Sequence, residues 1–269
     1  MSLLRISRPR FWLYTAGPVL LGTVFVDPWL FLTLPALLTF YWFLVPANVF
    51  LYGVNDLADR DTDRYNPKKG TREHLLRDRE EKKLILAIIV SIGLFIPVAA
   101  LANTAALLFF IAFIILGAAY SLPPRLKAVP ILDAASNILY AMPGLGAYAL
   151  ASGHLPSLTA TLAAFAWTAA MHWFSAIPDI EADRKAGLST SATLFGHRAS
   201  LIAVSALWSL SLLFAFLAGL PLWVVLIGLV YPITPLVLLA RSPALVERAY
   251  WYYPMINAVV GFVLFIAAL

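Results

Sequence analysis

Leu51-Tyr52-Gly53-Val54-Asn55-Asp56-Leu57-Ala58-Asp59-Arg60-Asp61-Thr62-Asp63 is the point where a long apolar run, Trp29–Val54, ends in an asparagine and four aspartates. A run of that length suits a membrane crossing, since the ~30 Å hydrocarbon layer takes about 20 apolar residues. A carboxylate drawn into the membrane costs about 2.5–3.5 kcal/mol on insertion scales, so acids gathered at the end of a span call for a reason. On a helix turning about 100° per residue, Asp56, Asp59 and Asp63 fall within about 60° of one another. Asn55 lies about 40° from Asp59, whereas Asp61 points about 140° away from Asp56. Three carboxylates on one stripe repel unless cations intervene. Hard oxygen ligands at this density suit Mg2+, which takes one or two carboxylates together with phosphate oxygens and water.

The rest of the chain has the same membrane character. Of its 269 residues 62% are hydrophobic and only 12% charged, where a soluble domain carries about a quarter charged; mean hydropathy is +0.86. Nine apolar segments can be placed, near Phe11–Val26, Trp29–Val54, Leu84–Leu101, Ala105–Leu122, Ile131–Ala151, Leu158–Ile177, Leu201–Gly219, Leu222–Leu239 and Tyr250–Leu269. The expectation is an all-α polytopic membrane protein with nine transmembrane helices, residues 1–269 forming a single transmembrane domain. The basic stretch Met1–Arg10 reads as the lead into a retained first span. There is no cysteine, which excludes thiolate metal sites, iron–sulfur clusters and cysteine nucleophiles. The net charge of +5 reads as topology and not as a nucleic-acid surface.

Orientation follows from where the cations lie. Arg5, Arg8 and Arg10 precede the first span, and nine basic residues from Arg60 to Lys83 separate the second from the third. Arg125 and Lys127 follow the fourth, Arg184, Lys185 and Arg198 the sixth, Arg241 and Arg248 the eighth. With nine spans, all 19 Lys and Arg fall on one side, predicting a cytoplasmic N-terminus in the cell membrane. Thirteen of the 14 acids share that side, Asp27 being the exception. Acids contribute little to orientation, so their gathering has another cause.

A second acidic cluster, Asp179-Ile180-Glu181-Ala182-Asp183, follows the sixth segment. Asp179 and Asp183 are four apart and share a helix face; Glu181, about 200° away, reads as solvated surface. Both clusters fall on the cytoplasmic side, where they can face each other. The plain alternative is a pair of solvated helix ends neutralised by nearby Arg and Lys.

The runs Asn55-Asp56-x-x-Asp59-x-x-x-Asp63 and Asp179-x-x-x-Asp183 together resemble the paired signatures of the UbiA superfamily of intramembrane prenyltransferases. Leu51–Asp56 with Asn66-Pro67-Lys68-Lys69, and Phe174–Glu181 continuing to Asp183-Arg184 and Ala186-Gly187, are most similar to its lycopene elongase branch. Tyr120-Ser121-Leu122-Pro123-Pro124-Arg125-Leu126-Lys127 is shared more widely in the superfamily. The resemblance implies helices arranged around a central cavity and transfer of a prenyl group from an allylic diphosphate to a lipophilic acceptor, dimethylallyl diphosphate onto lycopene for this branch. It implies Mg2+ held by Asp56, Asp59, Asp63, Asp179 and Asp183, with Asn55 as an oxygen ligand or hydrogen-bond donor.

Basic side chains would complete a diphosphate site. Lys127, with Tyr120 beside it in the shared stretch, is the first candidate; Lys68, Lys69, Arg72 and Lys185 follow, each with topology as its alternative explanation. Tyr41, Trp42, Tyr52, Tyr120, Tyr140, Trp173 and Phe174 supply rings from which two or three are expected to line the cavity and face a carbocation, the others being membrane packing or interfacial residues. Competing readings are a cation transporter, disfavoured because its site would lie near the midplane, and a CDP-alcohol phosphotransferase, whose Asp-Gly-x-x-Ala-Arg core is absent. Within the superfamily the acceptor alternatives are a quinone precursor, a chlorin or a glycerol lipid.

Overall fold

The computed structural model describes residues 2–60, 75–185, 187–241 and 243–269, and among these every regular element is helical. Five helical stretches are long and apolar enough to cross a membrane: Leu34–Ala58, Asp78–Leu101, Thr104–Ser121, Ser191–Leu217 and Ala244–Ala268. Their outward faces carry exposed Leu86, Ile89, Leu108, Ile115, Ile202 and Phe262. In water such surface would be a liability; against lipid tails it is at home.

The other apolar segments form shorter or broken helices. Trp12–Val24 is 13 residues long, and the eighth segment divides into Leu222–Gly228 and Val230–Leu238. The fifth, expected as one span over Ile131–Ala151, breaks into a helical turn Leu132–Ala135, a 3-10 stretch Ser136–Tyr140 and a helix Met142–Ser152. A buried acid, Asp133, sits at its start.

The chain packs as two compact units. The first comprises residues 1–124, 142–155 and 268–269; the second, residues 125–141 and 156–267. In the first, Trp12–Val24 packs closely on Met142–Ser152. A Cβ on Gly22 would stand 2.2 Å from the Gly144 carbonyl oxygen, and one on Gly144 2.9 Å from that of Pro18. Only glycine lets two backbones meet this closely, the way small residues bring membrane helices together.

The break inside Leu34–Ala58 has a cause in the sequence. Pro46 has no N–H for the Trp42 carbonyl, and Val45 leaves helical geometry at φ −123°, ψ −59°. Buried Asn48 mends the junction: its amide donates to the carbonyls of Phe43 at 2.8 Å and Leu44 at 3.1 Å, and to Thr15 Oγ1 at 2.7 Å.

The second unit is built on Leu158–Ala176 against Ser191–Leu217, tied by Trp173 Nε1 to Ser200 Oγ at 3.1 Å and Ser211 Oγ to the Ala163 carbonyl at 2.8 Å. Its core is aromatic: Trp208 stacks on Tyr253 with centroids 5.4 Å apart, flanked by Phe174 and Tyr231. Tyr231 donates from its hydroxyl to Asn257 Oδ1 at 2.7 Å.

Candidate active site

In the first unit, the helix Pro46–Ala58 delivers Asn55 and Asp56 on its last turn. Proline at the start fits because the first helical N–H has no intrahelical partner. The helix ends earlier than the acidic stripe requires. Asp59 is its C-cap, at φ −100° and ψ 5°, so the single-helix register that aligned Asp56, Asp59 and Asp63 lapses at Asp59. Asp63, Lys68, Lys69 and Arg72 lie outside the described residues.

Two contacts organise this end of the helix. Ser121 Oγ donates to Asn55 Oδ1 at 3.1 Å, joining the Tyr120-Ser121 end of the Thr104–Ser121 helix to the acidic motif. Tyr120 itself is half-buried there. Asp56, only 2% exposed, accepts from Arg8 Nη2 at 3.2 Å. The Arg8 guanidinium also lies over the Tyr52 ring, 4.5 Å from its centroid. Low dielectric strengthens both contacts and makes the buried carboxylate dependent on a cation. Farther out, Arg60 pairs with Glu81 at 2.6 Å.

In the second unit, the other acidic motif follows Leu158–Ala176. Pro178 interrupts the helical hydrogen bonding, and Ile177–Asp179 tightens into a 3-10 turn before Ile180–Lys185 resumes the helix. Asp179 and Asp183 are half-buried; Glu181 is exposed and pairs with Arg184 at 3.4 Å, a surface contact. Lys185 is exposed, whereas Lys127 is half-buried in the short turn Leu126–Ala128.

Among the expected aromatic residues, Tyr41 is exposed. Trp42 and Phe174 are packed inside ring clusters of their own units, Trp42 donating from Nε1 to the Ser91 carbonyl at 2.9 Å.

Among the described residues no three acidic or histidine side chains gather into one metal-binding group. Each motif offers a pair of carboxylates, Asp56 with Asp59 and Asp179 with Asp183. That donor set still fits Mg2+, which needs one or two carboxylates and completes its shell from phosphate and water. Asp56 already carries a cationic partner in Arg8, the demand that a metal would meet.

Sequence reasoning credited Arg8 to topology and passed over Ser121 and Asp133. A usable signal existed for Asp133: a lone carboxylate inside an apolar segment.

The profile of the UbiA prenyltransferase family matches residues 11–268. The chain is 44% identical to a lycopene elongase/hydratase from Haloferax volcanii, over 98% of this chain and 87% of the relative. It is 42% identical to the lycopene elongase/hydratase of Halobacterium salinarum, over 96% and 93%. Among solved structures, a UbiA homologue from Archaeoglobus fulgidus bound to GPP and Mg2+ superposes with a TM-score of 0.75, covering 98% of this chain and 99% of that one at 24% identity. The same homologue bound to DMAPP and Mg2+ gives 0.74. At this identity the structures establish likeness of fold alone.

Proposed function

The chain belongs to the UbiA prenyltransferase family and is a prenyltransferase; from that premise we propose that it transfers a dimethylallyl group from dimethylallyl diphosphate to lycopene, on the cytoplasmic face of the cell membrane. The observation that carries this reading is the near full-length likeness to lycopene elongase/hydratases, which spans both acidic motifs and the Tyr120–Lys127 stretch.

Asp56, Asp59, Asp179 and Asp183, together with Asp63, would hold Mg2+. When bound, the metal supplies charge neutralisation to the diphosphate as it leaves. The protein's own residues do the rest. With its carbonyl oxygen engaged by Ser121, Asn55 would offer amide N–H groups as donors to diphosphate oxygen. Lys127 contributes an ammonium to the same group, with Lys68, Lys69, Arg72 and Lys185 as further cations. Arg8 holds the Asp56 carboxylate in place.

The C1–O bond of the donor breaks with its electron pair passing to diphosphate. The resulting allyl cation is attacked by a terminal double bond of lycopene, which forms the new carbon–carbon bond and leaves a tertiary cation. Loss of a proton, or addition of water followed by loss of a proton, discharges that cation. Apolar helix walls keep water from the allyl cation until the acceptor reacts.

The test is an assay on membranes containing the protein, with lycopene and dimethylallyl diphosphate, with and without Mg2+, read by liquid chromatography and mass spectrometry. A Mg2+-dependent product heavier by one or two C5 units, with or without added water, supports the reading. Absence of product from folded protein overturns the lycopene assignment and directs the search to quinone precursors, chlorins and glycerol lipids.

A further inference from the structure

The second unit holds a buried carboxylate that the proposed chemistry leaves unused. Asp133 is 0% exposed, and both of its oxygens are committed to one residue. Oδ2 accepts the Ser191 backbone N–H at 2.8 Å, and Oδ1 accepts the Ser191 hydroxyl at 2.5 Å. Ser191 Oγ in turn accepts the backbone N–H of Ile131 at 2.7 Å. On the other side, Asn137 donates to the Asp133 carbonyl at 2.6 Å.

These bonds hold a backbone that is otherwise unfavourable. Ile131 sits at φ 72° and ψ −45°, a conformation that a β-branched residue adopts only where its surroundings impose it. The strained residue caps the start of Leu132–Ala135, just beyond the Leu126–Ala128 turn that carries Lys127, and its N–H is held by Ser191.

Ser191 occupies an equally pointed place. It opens the helix Ser191–Leu217 directly after the second acidic motif. Leu188 N–H donates to the Asp183 carbonyl at 2.9 Å, and Arg184 Nη2 to the Thr193 carbonyl at 3.2 Å, so the motif is fastened to the same helix start. At that helix start Asp133 takes the Ser191 N–H, one of the orphan donors of the first turn. Thr190 and Thr193 already form a reciprocal pair, at 2.8 Å from Thr190 N–H to Thr193 Oγ1 and 3.2 Å from Thr193 N–H to Thr190 Oγ1. One N–H alone does not call for a buried carboxylate; the second oxygen of Asp133 takes the Ser191 hydroxyl, and through it reaches Ile131.

We propose that Asp133 and Ser191 are positioning residues: their hydrogen bonds clamp the Lys127 turn to the segment bearing Asp179 and Asp183, fixing where the Lys127 ammonium meets the diphosphate of the donor. This rests on Lys127 being a diphosphate ligand, as in the reading above.

The test is a double-mutant cycle on the full chain in lipid nanodiscs, measuring the dissociation constant of dimethylallyl diphosphate by calorimetry in Mg2+-containing buffer. Ser191→Ala weakens binding about tenfold, the scale of one charge-assisted buried hydrogen bond. Ser191→Thr, which keeps the hydroxyl, restores it. In a Lys127→Ala background, Ser191→Ala adds less than about twofold, because the clamp acts through that lysine. If Ser191→Ala does not fold, Asp133→Asn takes its place in the cycle.

Unchanged binding in Ser191→Ala, or effects that multiply independently across the cycle, overturns the clamp and leaves the network as packing alone. Wild-type affinity in Lys127→Ala instead overturns the assignment of Lys127, and the clamp with it. Absence of any Mg2+-dependent donor binding by the wild-type chain removes the parent reading.

Discussion

Arg8 bridges 48 positions of sequence to donate from Nη2 to Asp56 Oδ1 at 3.2 Å, with its guanidinium resting on Tyr52 between them. A residue from the N-terminal segment thus supplies a cation for a carboxylate near the end of the long apolar stretch Leu34–Ala58. Removing one partner of such a pair leaves the other charge in a medium that solvates it poorly. Arg8→Ala is therefore expected to lower stability by about 1–3 kcal/mol. Thermal unfolding in detergent checks this, and added Mg2+ should recover part of the loss in Arg8→Ala by taking over the carboxylate.

Asp56→Ala and Asp183→Ala should each lower turnover by at least about a hundred- to a thousandfold, the scale of losing one electrostatic group aimed at developing charge. Both proteins should still insert and fold. Glu181→Gln is the control: Glu181 is exposed and pairs with Arg184 across a surface contact, so activity should stay within about twofold. Full activity in either aspartate variant would remove the metal role of that motif.

Ser121→Ala removes the hydroxyl that donates to Asn55 Oδ1. Asn55 then loses the donor that holds its carbonyl oxygen, and donor affinity should fall about tenfold while the fold persists. The measurement is KM for dimethylallyl diphosphate alongside an unfolding curve. An unchanged KM would show that Asn55 is oriented by something else.

Two glycines of one helix should behave oppositely. Gly22→Ala forces a Cβ to 2.2 Å from the Gly144 oxygen and is expected to cost at least about 1–3 kcal/mol, the range for overpacking. Gly17→Ala meets nothing within 4 Å and should be neutral or stabilising by up to about 1 kcal/mol, since alanine is the better helix former. Equal unfolding temperatures for Gly22→Ala and Gly17→Ala would rule out the close backbone crossing.

The helical, membrane-embedded character was legible because composition and apolar run length bear on it directly, and both acidic motifs lay in the open at the ends of such runs. What escaped the sequence reading depends on distance along the chain or on local geometry. Nothing near Arg8 announces a partner 48 residues away, and topology already accounted for its charge. The early end of the helix at Asp59 is a matter of about 40° of backbone torsion at one residue. Asp133 was visible as an acid in an apolar segment, yet only the fold shows that Ser191 donates to both of its oxygens. Tyr41 and Trp42 are neighbours of the same chemical kind; helix packing alone sends one outward and buries the other.

The division of the fifth apolar segment has a bearing on biosynthesis. Residues 125–141 belong to one compact unit and residues 142–155 to the other. A ribosome therefore releases part of the second unit before the first has received its Met142–Ser152 helix. Neither unit can mature as an uninterrupted stretch of nascent chain. A gene cut at Pro124 would strand the partner of Trp12–Val24 in the wrong fragment, so the two halves of the sequence should fail to assemble when produced as separate polypeptides divided there.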